Sequence, residues 1–258
     1  MANTWNGKQE KKRGPLRRLS KDTEAVRGLR IKSRIREVLK SGKTDLIARM
    51  LADLPGRKII TPLLSCLLST DQKMKWSAVY AVGIVVANIA EEDMESARVI
   101  IRRLMWNLND ESGGIGWGSA EAMGEILSRH QGLAEEYSHI LISYARKDGN
   151  YLEHPILQRG LLWGISRLVQ TRPDLVRDSS DYFMHYLGSD DAVVRGLASW
   201  LMGMLGVSQA VDLLDTLRDD DSEMEVYLNI EPHRCRVMDI AGKALALIKQ
   251  KGEGNVIN

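Results

Sequence analysis

Asp191-Ala192-Val193-Val194-Arg195, then Ala198, Gly203, Leu205-Gly206, Ala210, Leu213-Leu214 and Leu217, reads as two consecutive helices, the second rich in leucine. The glycine inside the first helix decides the rest. Gly203 recurs as Gly83, Gly124, Gly164 and Gly242, at successive spacings of 41, 40, 39 and 39 residues. Glycine costs roughly 1 kcal/mol in a helix interior relative to alanine. Five occurrences at one period therefore need a steric reason: without a Cβ, two helices can approach closely where repeats stack. Two residues before each glycine stand Ala81, Ala122, Leu162, Leu201 and Ile240, and five before it Ala78, Ser119, Arg159, Ala198 and Val237, two offsets that share one helical stripe. A second apolar helix follows each of the first four glycine helices, over about 94–108, 133–145, 173–187 and 208–217, and a last helix over about 233–249 closes the stack. Two helices per unit of about 40 residues is the pattern of a helical solenoid. No convincing alternating strand of useful length interrupts it, so the expected fold is all-α, a right-handed α-solenoid of about five two-helix repeats.

The Asp, the Val-Arg pair, the spaced alanines and the Leu-Gly of 191–217 resemble the HEAT-like repeat of the phycobilisome-lyase (PBS lyase) type. Repeat five matches partly, through Arg234 and Gly242, while repeats one to three carry Lys75, Gly116 and Ile156 in the arginine column. The resemblance spans about Asp71 to Lys249. It implies an α-α superhelix of the armadillo/HEAT-like class and a protein built for binding; it supplies no catalytic group. The expected organisation is a disordered basic arm over 1–19 and a single solenoid domain over 20–258. That domain comprises capping helices over 20–70, repeats over 71–249 and a flexible tail over 250–258.

Charge is unevenly placed. The net charge of the 258 residues is +2, but residues 1–43 carry 14 Lys/Arg against 4 Asp/Glu, leaving the remainder at −8. A basic segment joined to an acidic body is the electrostatic description. Arg17, Arg18, Arg27, Arg30 and Arg34 form the basic cluster, which reads either as a solvated face or as the one place where nucleic acid would bind. Cys66 and Cys235 are too few for a disulfide framework and fit a reducing compartment. The basic N-terminal stretch has no apolar run after it, and the most apolar stretch, 78–90, is too short to span a bilayer. The expected setting is cytoplasmic, with another protein as partner, no membrane and no cofactor.

Equivalent inter-repeat loops lie along one edge of a solenoid, and long ones often mark a binding face. Here that edge carries Asp110, Glu111, Tyr151, Glu153, His154, Asp219, Asp220, Asp221 and His233, an acidic surface suited to a basic partner; the same acids also suit helix capping. The five histidines show no metal-ligand spacing. Trp76 and Trp117 each precede their repeat glycine by seven residues, which suggests stacking between adjacent repeats or simple filling of the inter-repeat core. A second resemblance runs through Gln158-Arg159-Gly160-Leu161-Leu162-Trp163-Gly164 and Thr171-Arg172-Pro173, similar to a repeat of the HEAT-like alkylpurine DNA glycosylases. It implies that Trp117 and Trp163 cradle a damaged nucleotide and that Glu121 supports the departing base. The acidic body speaks against that alternative, since DNA affinity rests largely on Lys/Arg at phosphates. The expected function is a non-enzymatic interaction module, an adaptor or scaffold.

Overall fold

A computed structural model describes residues 16–110 and 116–254. Eleven α-helices follow one another among these residues. The N-terminal group is α1 (Leu16–Ser41), α2 (Thr44–Asp53) and α3 (Gly56–Cys66). The repeats follow as α4 (Gln72–Glu92) with α5 (Met94–Leu108), α6 (Ser119–Arg129) with α7 (Gln131–Ser143), α8 (Pro155–Val169), α9 (Ala192–Leu205) with α10 (Val211–Thr216), and α11 (Val237–Gly254). The helix starts follow local chemistry. Asp71, Asp93 and Asp191 each accept a backbone N–H of the following turn, and His130 and His154 do the same through Nδ1. Gly118 and Gly206, at φ of 76° and 74°, make the turns before α6 and after α9, a backbone region open to glycine.

The glycine-bearing helices α4, α6, α8, α9 and α11 form one continuous stack, each packed on the next. At its centre α6 and α8 touch backbone to backbone: a methyl group at Gly124 would fall on the main chain of Gly164, and one at Gly164 would lie 2.6 Å from the Ala120 carbonyl oxygen. Gly203 faces the backbone of Ala244 at 2.6 Å, while Gly83 faces the Glu125 side chain at 2.5 Å. Gly242 breaks the pattern, because nothing lies within 4 Å of a Cβ there; α11 is the last helix of the stack among the described residues. The second helices pack behind, and one core of aliphatic side chains runs the length of the stack, from Ile35 to Ile248.

Several expectations are corrected. Helix α1 begins at Leu16, inside the segment expected to be an arm up to residue 19; residues 1–15 lie outside the described ones. The tail expected from residue 250 is helical to Gly254. Pro62 stands in the interior of α3, which starts at Gly56. The second helix of repeat three is not α-helical: two 3₁₀ segments, Pro173–Leu175 and Arg177–Gly188, take its place. The largest departure is an antiparallel hairpin, β1 (Glu223–Leu228) with β2 (Glu231–Arg236), where a loop and the start of a helix were expected. Arg234 therefore sits on a strand and not in a fifth copy of the helical motif.

The glycine contacts give a paired prediction. Gly164→Ala overpacks a backbone contact and should cost about 2 kcal/mol. Gly242→Ala, with free space around it, should add about 0.5–1 kcal/mol through helix propensity. Urea melts of the two variants would check this; equal effects at the two sites would contradict the packing argument.

Candidate functional site

The hairpin builds the site. Glu223 to Leu228 alternates polar with apolar residues, and Asn229 and Ile230, at φ of 49° and 77°, close a two-residue turn of the kind whose twist suits a hairpin. Isoleucine is an uncommon occupant of positive φ; here Ile230 is buried, so packing holds it. An isolated two-stranded hairpin is marginal in water, and this one is held by the stack of glycine helices. The Trp163 indole N–H of α8 donates to the Tyr227 carbonyl at 2.8 Å. The Tyr227 ring stacks on Trp76 of α4, 5.0 Å away and 13° from parallel, and Trp76 in turn lies 4.7 Å from the Trp163 ring. Met224 is buried over Gly196 of α9, in space that any side chain at 196 would occupy.

The base of the hairpin is fixed by charge. Arg195 Nε donates to Asp220 Oδ2 at 2.8 Å and its Nη1 to the Ser189 carbonyl at 2.8 Å. Burial raises the pKa of the Asp220 carboxyl, but the Ser222 hydroxyl and Arg195 outweigh it and hold the group below the usual carboxylate range. One repeat earlier Arg159 grips Asp191 with two nitrogens, at 2.6–3.0 Å, while Asp191 also caps α9. Burial opposes ionisation of Asp191 as well, and Arg159 and the two capping N–H groups again leave its pKa lowered.

Two clefts open beside the docked hairpin. The first, about 480 Å³, lies under its tip, between Tyr80, Arg167, Trp200, Leu228 and Ile240. It also borders Trp76 and Ser166, whose buried Nε1 and hydroxyl have no hydrogen-bond partner among the described residues. The second, about 690 Å³, runs along β1 and is walled by Trp117, Glu121, Ile156, Arg159 and Val193. Its buried carboxylate is not free: Glu121 accepts from Lys75 Nζ at 2.7 Å, and Gly160 leaves room for that side chain. A second buried carboxylate, Glu125, is shared by Arg129 and Arg167, at 2.5 and 2.7 Å.

The structure thus brings Trp117, Glu121 and Trp163 to one cleft. It places the loop-edge residues differently. Asp219 and Asp221 are exposed, but Asp220 between them is turned inward to Arg195, so the three do not form one exposed acidic run. Tyr151 is half-buried, bonded to Gln158 and 3.3 Å from His185. His154 caps α8, Glu153 is exposed, and Asp110 is partly buried after α5; Glu111 lies outside the described residues. His233 is on β2 and borders the first cleft. Arg30 and Arg34 are exposed on α1, away from both clefts, and the side chains of Arg17, Arg18 and Arg27 lie outside the described ones. Among the described residues no group of three or more His, Cys, Asp or Glu stands where it could hold a metal ion, and no helix is long and apolar enough to cross a membrane. Both clefts lie along the glycine helices. Sequence reasoning missed Tyr227, Met224 and Gly196; the alternation over 223–228 was the available signal, masked by a turn without glycine and by acids that read as loop.

No family model matches the chain, and no curated protein matches it in sequence. Solved structures do resemble it. An engineered protein from a structural-genomics programme aligns with a TM-score of 0.54 at 15% identity, over 85% of this chain and 90% of its own. A designed armadillo repeat protein in complex with the peptide (KR)4 aligns with a TM-score of 0.53 at 14% identity, over 84% of this chain and 91% of its own. At such identity the likeness shows the fold alone, a helical-repeat solenoid.

The Arg195–Asp220 pair yields a pH prediction. The lowered Asp220 pKa means that its contribution is present above the unfolded carboxylate range, near pH 4, and is lost as pH falls through the native value. Asp220→Asn should therefore be less stable than the parent by about 1–2 kcal/mol at pH 7. The difference should shrink toward zero below pH 4. A gap that persists unchanged at about pH 2.5, in denaturant titrations, would show that the carboxylate charge is not what holds the hairpin base.

Proposed function

We propose that the chain is a non-enzymatic protein-interaction module, an adaptor or scaffold, whose recognition surface is the groove of the glycine helices beside the hairpin. One observation carries this reading. The groove already holds an extended strand of its own chain, by an indole N–H bonded to a main-chain carbonyl and by a tyrosine stacked on a tryptophan. Main-chain recognition combined with aromatic platforms is how a groove takes an extended segment. The second cleft continues that surface past the hairpin, with Trp117 half-buried in its wall. The peptide carried by the designed armadillo protein in its complex is consistent with a peptide-like partner on this fold. We assign the repeats to the HEAT-like type of the PBS lyases on the Asp191–Arg195 motif, and place the protein in the cytoplasm.

The competing reading is base excision. It draws on the shared cleft of Trp117, Glu121 and Trp163, but there Glu121 is already engaged by Lys75, which lowers its capacity to stabilise a new positive charge. Affinity capture from the native cell's lysate, with and without nuclease, separates the two. A protein partner should survive nuclease treatment, and Trp117→Ala should reduce its recovery at least fivefold with the helical content unchanged. Retention of nucleic acid alone, with Trp117→Ala and Glu121→Gln both abolishing base release from alkylated DNA, would replace this reading with the glycosylase.

A further inference from the structure

Strand β1 has a free edge, and that edge faces a cleft. The two-residue turn makes Leu228 and Glu231 a hydrogen-bonded pair, so in an antiparallel ladder Tyr227 opposite Pro232 and Glu225 opposite Arg234 are non-hydrogen-bonded pairs. The backbone N–H and C=O groups of Glu223, Glu225 and Tyr227 therefore point away from β2. The Tyr227 carbonyl is taken by Trp163, in agreement with this assignment. The N–H groups of Glu225 and Tyr227 and the carbonyl of Glu225 have no backbone or side-chain partner among the described residues.

The two edges of the hairpin are treated differently. On β2 the outward position opposite Tyr227 is Pro232, which has no N–H, and the neighbouring outward positions carry the exposed Arg234 and Arg236. Proline and charge are what block a strand edge against pairing. On β1 no proline stands at an outward position. The cleft of about 690 Å³ follows all five residues from Glu223 to Tyr227, yet of β2 it reaches only Arg234. Its opposite wall offers Trp117, Ile156 and Val193, apolar groups in reach of alternate side chains of a strand. The basic groups that border it, Lys75, Arg159 and Arg234, are each paired with an acid, whereas Glu223 and the nearby Asp221 are exposed and carry no ion pair among the described residues.

We infer that the partner of this groove is an extended segment alternating apolar with Lys/Arg side chains, which adds to the outer edge of β1 as a third strand. This rests on the interaction-module reading and names its site and chemistry. Apolar side chains seat against Trp117 and Ile156, basic ones meet Glu223 and Asp221, and main-chain bonds to Glu225 and to the Tyr227 N–H set the register.

The test uses the full chain and an acetylated, amidated peptide of about seven residues, a little longer than the strand it would pair with, alternating lysine with valine or leucine. Saturable quenching of tryptophan fluorescence measures binding. Two N-methylated forms of the peptide follow, one with methyl groups on the odd amides and one on the even. Only one set of amides faces β1, so one form should bind at least tenfold more weakly and the other within about threefold of the parent, as for edge pairing in an antiparallel ladder. On the protein, Glu225→Pro removes an outward N–H, at the kind of non-hydrogen-bonded position where β2 itself carries Pro232, and should weaken binding at least tenfold. Glu225→Thr, which keeps the N–H but frees Arg234 of its acid partner, should bind at least threefold more tightly than Glu225→Pro, so that the difference between the two variants reports the N–H. Equal binding of both methylated forms, or no saturable binding of the parent peptide, overturns the inference. The interaction-module reading is decided separately, by the captured partner and its dependence on Trp117.

Discussion

The backbone contact between α6 and α8 at Gly124 and Gly164 is the constraint on which the groove depends. Two helices meeting without intervening side chains lie closer than aliphatic packing allows, typically 8–10 Å between axes. That approach sets how far Trp163 of α8 lies from Trp76 of α4, on the far side of α6. Their rings come within 4.7 Å and form one aromatic floor. The contact also explains why Gly160 recurs one turn earlier: the same approach leaves Glu121 pressed against α8, where a side chain would displace its carboxylate.

On that floor the hairpin is both product and component. Its strands would not persist alone; Met224 over Gly196, Tyr227 on Trp76 and the Trp163 bond hold them. In return the hairpin covers apolar surface that the stack would otherwise expose and divides the groove into two clefts. The buried ion pairs Lys75–Glu121 and Arg167–Glu125 link successive glycine helices. Such pairs contribute little net stability, because desolvation offsets their attraction, but breaking one partner leaves a costly unpaired charge. Their effect is to fix the orientation of neighbouring helices, and hence the positions of the side chains along the clefts. Arg195–Asp220 extends the same device to the base of the hairpin.

The sequence by itself determined the all-α solenoid, its period, the column of small residues and the helix starts near 94 and 133. These follow from local rules: helical spacing of apolar residues, capping by Asp71, Asp93 and Asp191, and the steric reason for a glycine inside a helix. The column was legible for Gly124, Gly164 and Gly203 because each meets another helix; it overreached at Gly242, where a neighbour had to exist for the rule to apply. Trp117, Glu121 and Trp163 were grouped through the resemblance to the glycosylase repeat, and they border one cleft. Only the tertiary structure decided that 223–236 is a hairpin and that Asp220 turns inward while Asp219 and Asp221 do not. It also decided that the clefts run along the glycine helices. Each of these rests on contacts between residues far apart in the chain: 64 residues separate Trp163 from Tyr227, and 25 separate Arg195 from Asp220. Strand formation is governed by the surface against which a strand packs more than by its own residues, and that surface exists only once the repeats have stacked.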